Sequence, residues 1–227
     1  MTAPVRYEQL PFALAPDVTE LVLVRHGASA AATPGVAFPL QDGHDDPPLA
    51  PLGLEQAERV GERLRGEAID ALFVSGLTRT VQTAAPLAAA IGLQPVVVPE
   101  LREVHLGDWQ GGVFRQKMAD RDPVVLRMLA EERWDVIPGA ESSERFGARV
   151  RKGLQRVARE TGPGRRAVVV AHGGVIGELC HQAAASRPFA FVWPGSENGA
   201  LTRILAGADG TWVLRSFNDT AHLAGLA

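Results

Sequence analysis

Two histidines of the chain stand in matching local settings. His26 follows the run LVLVR and precedes Gly27, and His172 follows the run AVVVA and precedes Gly173 and Gly174. A neutral imidazole is both a nucleophile and a hydrogen-bonding group near neutral pH. One histidine after an apolar run is as readily a satisfied polar residue as a catalyst; two in equivalent settings, one beside an arginine, point to a shared site. Arg25 sets a permanent cation directly before His26, and Arg79 lies in SGLTRTVQTA after the run ALFV. The planar guanidinium fork binds phosphate in a bidentate way. Two arginines and two histidines brought together make an electropositive pocket of phosphoryl size, although Arg79 taken alone reads as a surface helix charge. Glu103, in PELREVHLGDWQGG, can exchange a proton with a leaving oxygen, and taken alone it is indistinguishable from an ordinary exposed glutamate. His44, Asp45 and Asp46 cluster further upstream. Three such ligands in a proline-rich loop read as solvated polar residues sooner than as a metal site.

These residues need a frame. Glu20–Arg25, Ala71–Val74, Pro95–Val98 and Ala167–Ala171 are short, nearly continuous apolar runs, as expected of strands buried on both faces of a parallel sheet. Between them, Leu54, Ala57, Val60 and Leu64, then Leu77, Val81, Ala84, Leu87 and Ile91, and later Phe146, Val150, Leu154 and Val157, recur at helical spacing. Strand and helix alternate, which is the pattern of an α/β fold. In an open α/β sheet, ligands bind beyond the carboxyl ends of the strands, so both imidazoles project into one crevice if their strands are neighbours. The glycines after them are expected to let a substrate approach the backbone, with helix N–H groups free for an anion.

The loop from Thr33 to Pro51, with five prolines, reads as a lid. Residues 111–140 read as a helical excursion over one edge of the sheet, with Phe114 and Trp134 as candidates for the substrate side of the pocket. Ala200–Leu205 and Trp212–Phe217 flank a glycine-bearing turn and read as a hairpin, with one or both strands antiparallel to the rest. Residues 1–227 are expected to form one domain: a three-layer α/β sandwich with a mostly parallel central sheet, helices on both faces and an antiparallel C-terminal edge.

The 227 residues carry 23 Lys+Arg against 26 Asp+Glu, a balance that argues against nucleic-acid or acidic-membrane binding. No apolar run is long enough to span a bilayer, and Met1–Pro16 lacks the unbroken apolar stretch of a signal peptide. Together with a single cysteine, Cys180, on the apolar face of the helix after His172 and expected to be inert, this points to a cytoplasmic protein.

Taken together, LVLVRHGAS, DPPLAPLGLEQA, VSGLTRTVQTA, LREVHLGDWQG, PGAESSERFGARV and VVVAHGGVIGEL resemble, in content and in order, the histidine phosphatase superfamily in its phosphoglycerate-mutase-like branch. The resemblance implies a catalytic set of His26, Glu103, His172, Arg25 and Arg79. His26 attacks phosphorus, Arg25, Arg79 and His172 hold the phosphoryl oxygens, and Glu103 serves as acid and then base, with His105 and Asp108 as runner-up acids. It implies no metal and no cofactor, a small phosphorylated metabolite as substrate, and possible homodimers. Many members carry an asparagine six residues after the first histidine; this chain has Ala32 there, and Ser29 is the hydroxyl expected to contribute instead, with Gly173 beside the substrate. Asn198 and His222 are expected in supporting roles. Hydrolysis of a phosphomonoester is the expected reaction; the alternatives are a phosphoglycerate mutase or other phosphoryl transferase, and a non-catalytic phosphate-binding module.

Overall fold

The strand β1 (Val18–Arg25) forms the centre of the molecule in the computed structural model, which describes residues 7–226. The part of the N-terminal reading that concerns residues 1–6 lies outside the described residues. Every second side chain of β1 faces one side of the sheet. Leu21 and Leu23 therefore join one apolar cluster and Val22 and Val24 another, and all four are fully buried.

β1 pairs in parallel with β6 (Arg166–Ala171), β6 with β4 (Ala71–Val74), and β4 with β5 (Val96–Val97). On its other side β1 pairs antiparallel with β7 (Leu201–Gly207), which turns back into β8 (Trp212–Asp219). The six-stranded order is β5-β4-β6-β1-β7-β8, a mostly parallel sheet with an antiparallel C-terminal edge. The lid holds its own small hairpin, β2 (Leu40–Gln41) with β3 (His44–Asp45).

Helices α1 (Pro51–Leu64) and α2 (Thr78–Ile91) cover the valine face, burying Val60, Leu64, Ala84 and Leu87 against Val22, Val24, Leu72 and Val170. The other face packs against α5 (Ser143–Thr161) and α6 (Gly173–Ala184). Phe146, Val150, Leu154 and Val157 of α5 are fully buried at the expected spacing, and Ser142 caps the helix by accepting from the Arg145 N–H. The excursion holds α3 (Val113–Ala119) and α4 (Pro123–Glu131), and Val125 and Met128 of α4 join the leucine-face cluster.

Two expectations change, and a third holds. The strand read over Pro95–Val98 shrinks to Val96–Val97 at the sheet edge, where the two side chains are 42% and 47% exposed instead of buried on both faces. Leu54 of α1 and Val81 of α2 point outward, and on α2 the inward face holds Arg79, Thr80 and Thr83 beside Ala84 and Leu87. Cys180 is buried as expected, and burial pushes its thiol up to about 12, which leaves almost no thiolate at neutral pH. Among the described residues, no helix is long and apolar enough to cross a membrane.

Candidate active site

Because Arg25 lies opposite Ala171 in the β1–β6 ladder, the next residues, His26 and His172, leave adjacent parallel strands together. Their ring centroids are 5.2 Å apart, and the His26 N–H extends the ladder by donating to the Ala171 carbonyl at 3.0 Å. The protonation of His26 follows from its partners. Nδ1 lies 2.8 Å from the Gly27 carbonyl oxygen, which only accepts, so Nδ1 carries the proton. Nε2 therefore presents its lone pair, and it accepts from Arg79 Nε–H at 3.2 Å. Burial, reinforced by the Arg79 and Arg25 charges, holds the His26 pKa well below its ordinary value and keeps the ring neutral at pH 7.

His172 is fully buried, and burial together with the Arg79 charge likewise depresses its pKa. Its Nε2 lies 2.8 Å from the hydroxyl of Ser75, the residue that follows β4. Its Nδ1 is buried without a partner.

Arg79, at 6% exposure, is no surface charge: its Nη1 donates to the Asp45 carbonyl at 2.6 Å, and the Asp46 carboxylate lies 4.0 Å away. Arg25 donates through Nη1 to the Ser196 carbonyl. Glu103, just past a 3-10 turn at Pro99–Leu101, accepts N–H bonds from Val104 at 3.0 Å and Gly174 at 3.1 Å. The first turn of α6, expected to offer free N–H groups to an anion, thus has its Gly174 N–H engaged by this carboxylate.

The glycines also act otherwise than expected. A Cβ on Gly27 would stand 2.4 Å from the Gly53 carbonyl oxygen, and one on Gly174 would stand 2.5 Å from Glu103 Oε1. They make room for α1 and for the carboxylate, where an approaching substrate was the expected reason.

Arg25, His26, Arg79 and Glu103 line one cavity of about 240 Å³, together with Phe114 and Trp134 of the excursion. His172 is outside that lining, as are Ser29, Gly173, His105 and Asp108. Gly173 packs against Arg25, whose guanidinium carbon would lie 3.4 Å from a Cβ there. Asn198 and His222 brace the site from the C-terminal side: Asn198 Nδ2 donates to the His26 carbonyl at 2.8 Å, and His222 Nε2 lies 3.0 Å from the Gly199 carbonyl.

The polar cluster of the lid is not solvated. The Asp45 carboxylate accepts from the N–H groups of Gly111 and Gly112, and the Asp46 carboxylate accepts from the Thr78 N–H and hydroxyl at 2.7 and 2.6 Å. These bonds tie the lid to the excursion and to the helix that carries Arg79. Among the described residues, no group of three or more His, Cys, Asp or Glu side chains is placed to hold a metal ion.

Sequence reasoning missed two residues. Ser75 had a signal, a hydroxyl four residues before Arg79 at a strand end. Arg115 had none, since its place beside Arg25 and Arg79 depends on how the excursion folds back over the sheet.

The chain belongs to the histidine phosphatase superfamily, branch 1, whose family model matches residues 21–220. It is 37% identical over 211 residues to phosphoglycerate mutase-like protein 4 of Arabidopsis thaliana, covering 91% of this chain and 88% of that protein. It is 31% identical over 212 residues to a metal-independent phosphoserine phosphatase of the same plant, covering 92% and 84%. Its fold superposes on a mycobacterial glucosyl-3-phosphoglycerate phosphatase with a TM-score of 0.72 at 28% identity, covering 89% of this chain and all of that one (100%). Its relatives thus include both phosphatases and phosphoglycerate mutases.

Proposed function

We propose that the chain acts as a single domain and is a metal-independent phosphatase that hydrolyses a small phosphomonoester through a phosphohistidine on His26. The observation that carries this reading is the unprotonated Nε2 of His26, at a cavity shared with Arg25, Arg79 and Glu103. Nε2 attacks phosphorus in line, forming the N–P bond as the P–O bond to the alcohol breaks, so one difficult displacement becomes two easier ones. Arg25, Arg79 and His172 hold the non-bridging oxygens, where positioning and electrostatics supply most of the catalysis. Glu103 in its acid form gives its proton to the departing alkoxide. As carboxylate it then takes a proton from the water that attacks phosphorus, and inorganic phosphate leaves as the N–P bond breaks and neutral His26 returns.

A phosphoglycerate mutase follows the same course as far as the phosphoenzyme and then hands the group to a second substrate. Hydrolysis is favoured here because the cavity reaches the surface at Arg115, an exposed residue of its lining, so water has access to the phosphoenzyme. The test is release of phosphate from a chromogenic aryl phosphate with and without chelator, coupled to trapping of acid-labile, base-stable phosphate on the protein. Chelator-insensitive release is expected, with label on the wild type and none on His26→Ala. Faster transfer of label to phosphoglycerate than to water would make the protein a mutase. No label and no release across a broad panel of phosphate esters would leave a phosphate-binding module.

A further inference from the structure

We propose that Arg115 is a phosphoryl-binding residue of this site, and that the pocket consequently selects esters of an uncharged, largely apolar alcohol. This rests on the phosphatase reading above. Arg115 projects from α3 back to the loop that follows His26, where Nη2 donates to Ser29 Oγ at 2.6 Å and Nη1 to the Ala30 carbonyl at 2.7 Å. Its guanidinium lies over the Phe38 ring, 5.1 Å from the centroid, and lines the same cavity as Arg25, His26 and Arg79. Its charge reaches all three of those residues and helps to hold each pKa below its ordinary value.

The hydrogen bonds also decide what Ser29 can offer. In the stretch Ala28–Ala32 it is the one residue with a polar side chain. Since its oxygen accepts from Arg115, its own O–H is free to donate to an anion. The guanidinium keeps Nε–H and one hydrogen on each Nη undonated, and one edge of this fork can face the same anion. Ser29 and Arg115 thus form one donor cluster, which accounts for a serine that does not itself line the cavity.

The rest of the lining follows from charge. With Arg25, Arg79 and Arg115 on the phosphoryl dianion, no other arginine or lysine among the described residues lines the cavity. Its remaining charged side chains, Asp45 and Glu103, are acidic, and its walls include Val104, Leu106, Phe114 and Trp134. A second anionic group on the substrate meets the Asp45 carboxylate and apolar surface with no further cation to pair it, whereas an apolar alcohol loses nothing by burial there.

The test measures orthovanadate affinity by calorimetry, and kcat/KM for two alkyl esters, 2-phenylethyl phosphate and 3-phosphoglycerate, in wild type, Arg115→Ala and Arg115→Lys. Arg115 is exposed, so neither change opens the core, and near-UV circular dichroism checks the fold. Arg115→Ala is expected to raise the vanadate Kd ~10–100-fold, as for loss of a charge-assisted contact, and to lower kcat/KM by a similar factor for both esters. Lysine recovers part of the loss because it keeps the charge without the fork. The wild type is expected to favour the phenylethyl ester. Unchanged vanadate affinity in Arg115→Ala, a loss confined to 3-phosphoglycerate, or a wild-type preference for 3-phosphoglycerate would each overturn the proposal. A wild type that neither binds vanadate nor hydrolyses any ester would instead sink the phosphatase reading, and this one with it.

Discussion

His26 lines the cavity with its Nε2 lone pair toward Arg79 at 3.2 Å, while His172, one strand over in a nearly identical sequence setting, is fully buried with Nε2 against the Ser75 hydroxyl at 2.8 Å. The strands that deliver the two rings are neighbours in register, and burial holds the pKa of both rings well below its ordinary value. What separates them is how their nitrogens are engaged: both on His26, Nε2 alone on His172. On His26 the Gly27 carbonyl accepts from Nδ1–H, which leaves the lone pair on Nε2. On His172 the engaged nitrogen is Nε2, and Nδ1 is the one without a partner. The proposed division of labour, in which His26 attacks and His172 holds the phosphoryl group, rests on this difference in hydrogen bonding.

The sharpest way to break this comparison is to remove each ring in turn. His26→Ala is expected to lower kcat/KM by at least ~10⁴-fold and to abolish the trapped phosphoenzyme, as for loss of a covalent nucleophile. His172→Asn removes a stabiliser and not the attacking atom, so a loss of ~10²–10³-fold is expected, with phosphoenzyme still trapped on His26. Rapid-quench labelling of both variants checks the pair. Label on His26→Ala, or none on His172→Asn, would exchange or merge the two roles.

Both histidines were legible in the sequence because the strands before them are buried on both faces, and β-branched runs such as VVV announce that burial. α5 was legible for a similar reason: one unbroken apolar stripe packs on the sheet. Legibility ended where a helix turns a polar face inward. α2 turns Arg79, Thr80 and Thr83 inward beside Ala84 and Leu87 and leaves Val81 exposed, which the apolar spacing alone could not show. The lid carboxylates misled in the same way: Asp45 and Asp46 look solvated until the backbone N–H groups of Gly111, Gly112 and Thr78 are brought against them by the fold. Arg115 is further removed still, since its position is fixed by packing between α3 and a loop some eighty-five residues earlier in the chain.

Burial of two neutral rings also makes the comparison measurable without substrate. Each has a folded pKa well below that of an unfolded histidine, about 6.5, so below that pH the unfolded chain binds the additional protons. The stability they contribute is complete above pH ~6.5 and is lost as pH falls toward the folded values, at up to about 1.4 kcal/mol per pH unit for each ring. Urea midpoints measured from pH 7.5 to 5.0 should show this slope in the wild type and one ring's share less in either His26→Asn or His172→Asn. Equal slopes in all three proteins would mean that the rings are not held neutral by the fold.

The smallest expected effect probes the bond that sets His172 apart. If the Ser75 hydroxyl donates to Nε2, the proton of neutral His172 sits on Nδ1, the nitrogen left free to donate to a phosphoryl oxygen. Ser75→Ala removes that preference and leaves a buried ring nitrogen without its partner, a cost of about 1–3 kcal/mol that falls partly on stability and partly on the tautomer. The expected result is a loss of ~10-fold in kcat/KM, with the phosphoenzyme intact and a lowered urea midpoint. Because the ring itself remains, the loss should stay well short of that in His172→Asn. A Ser75→Ala enzyme as slow as His172→Asn would show that the hydroxyl does more than orient the ring, and one as fast as wild type would show that His172 holds its tautomer without it.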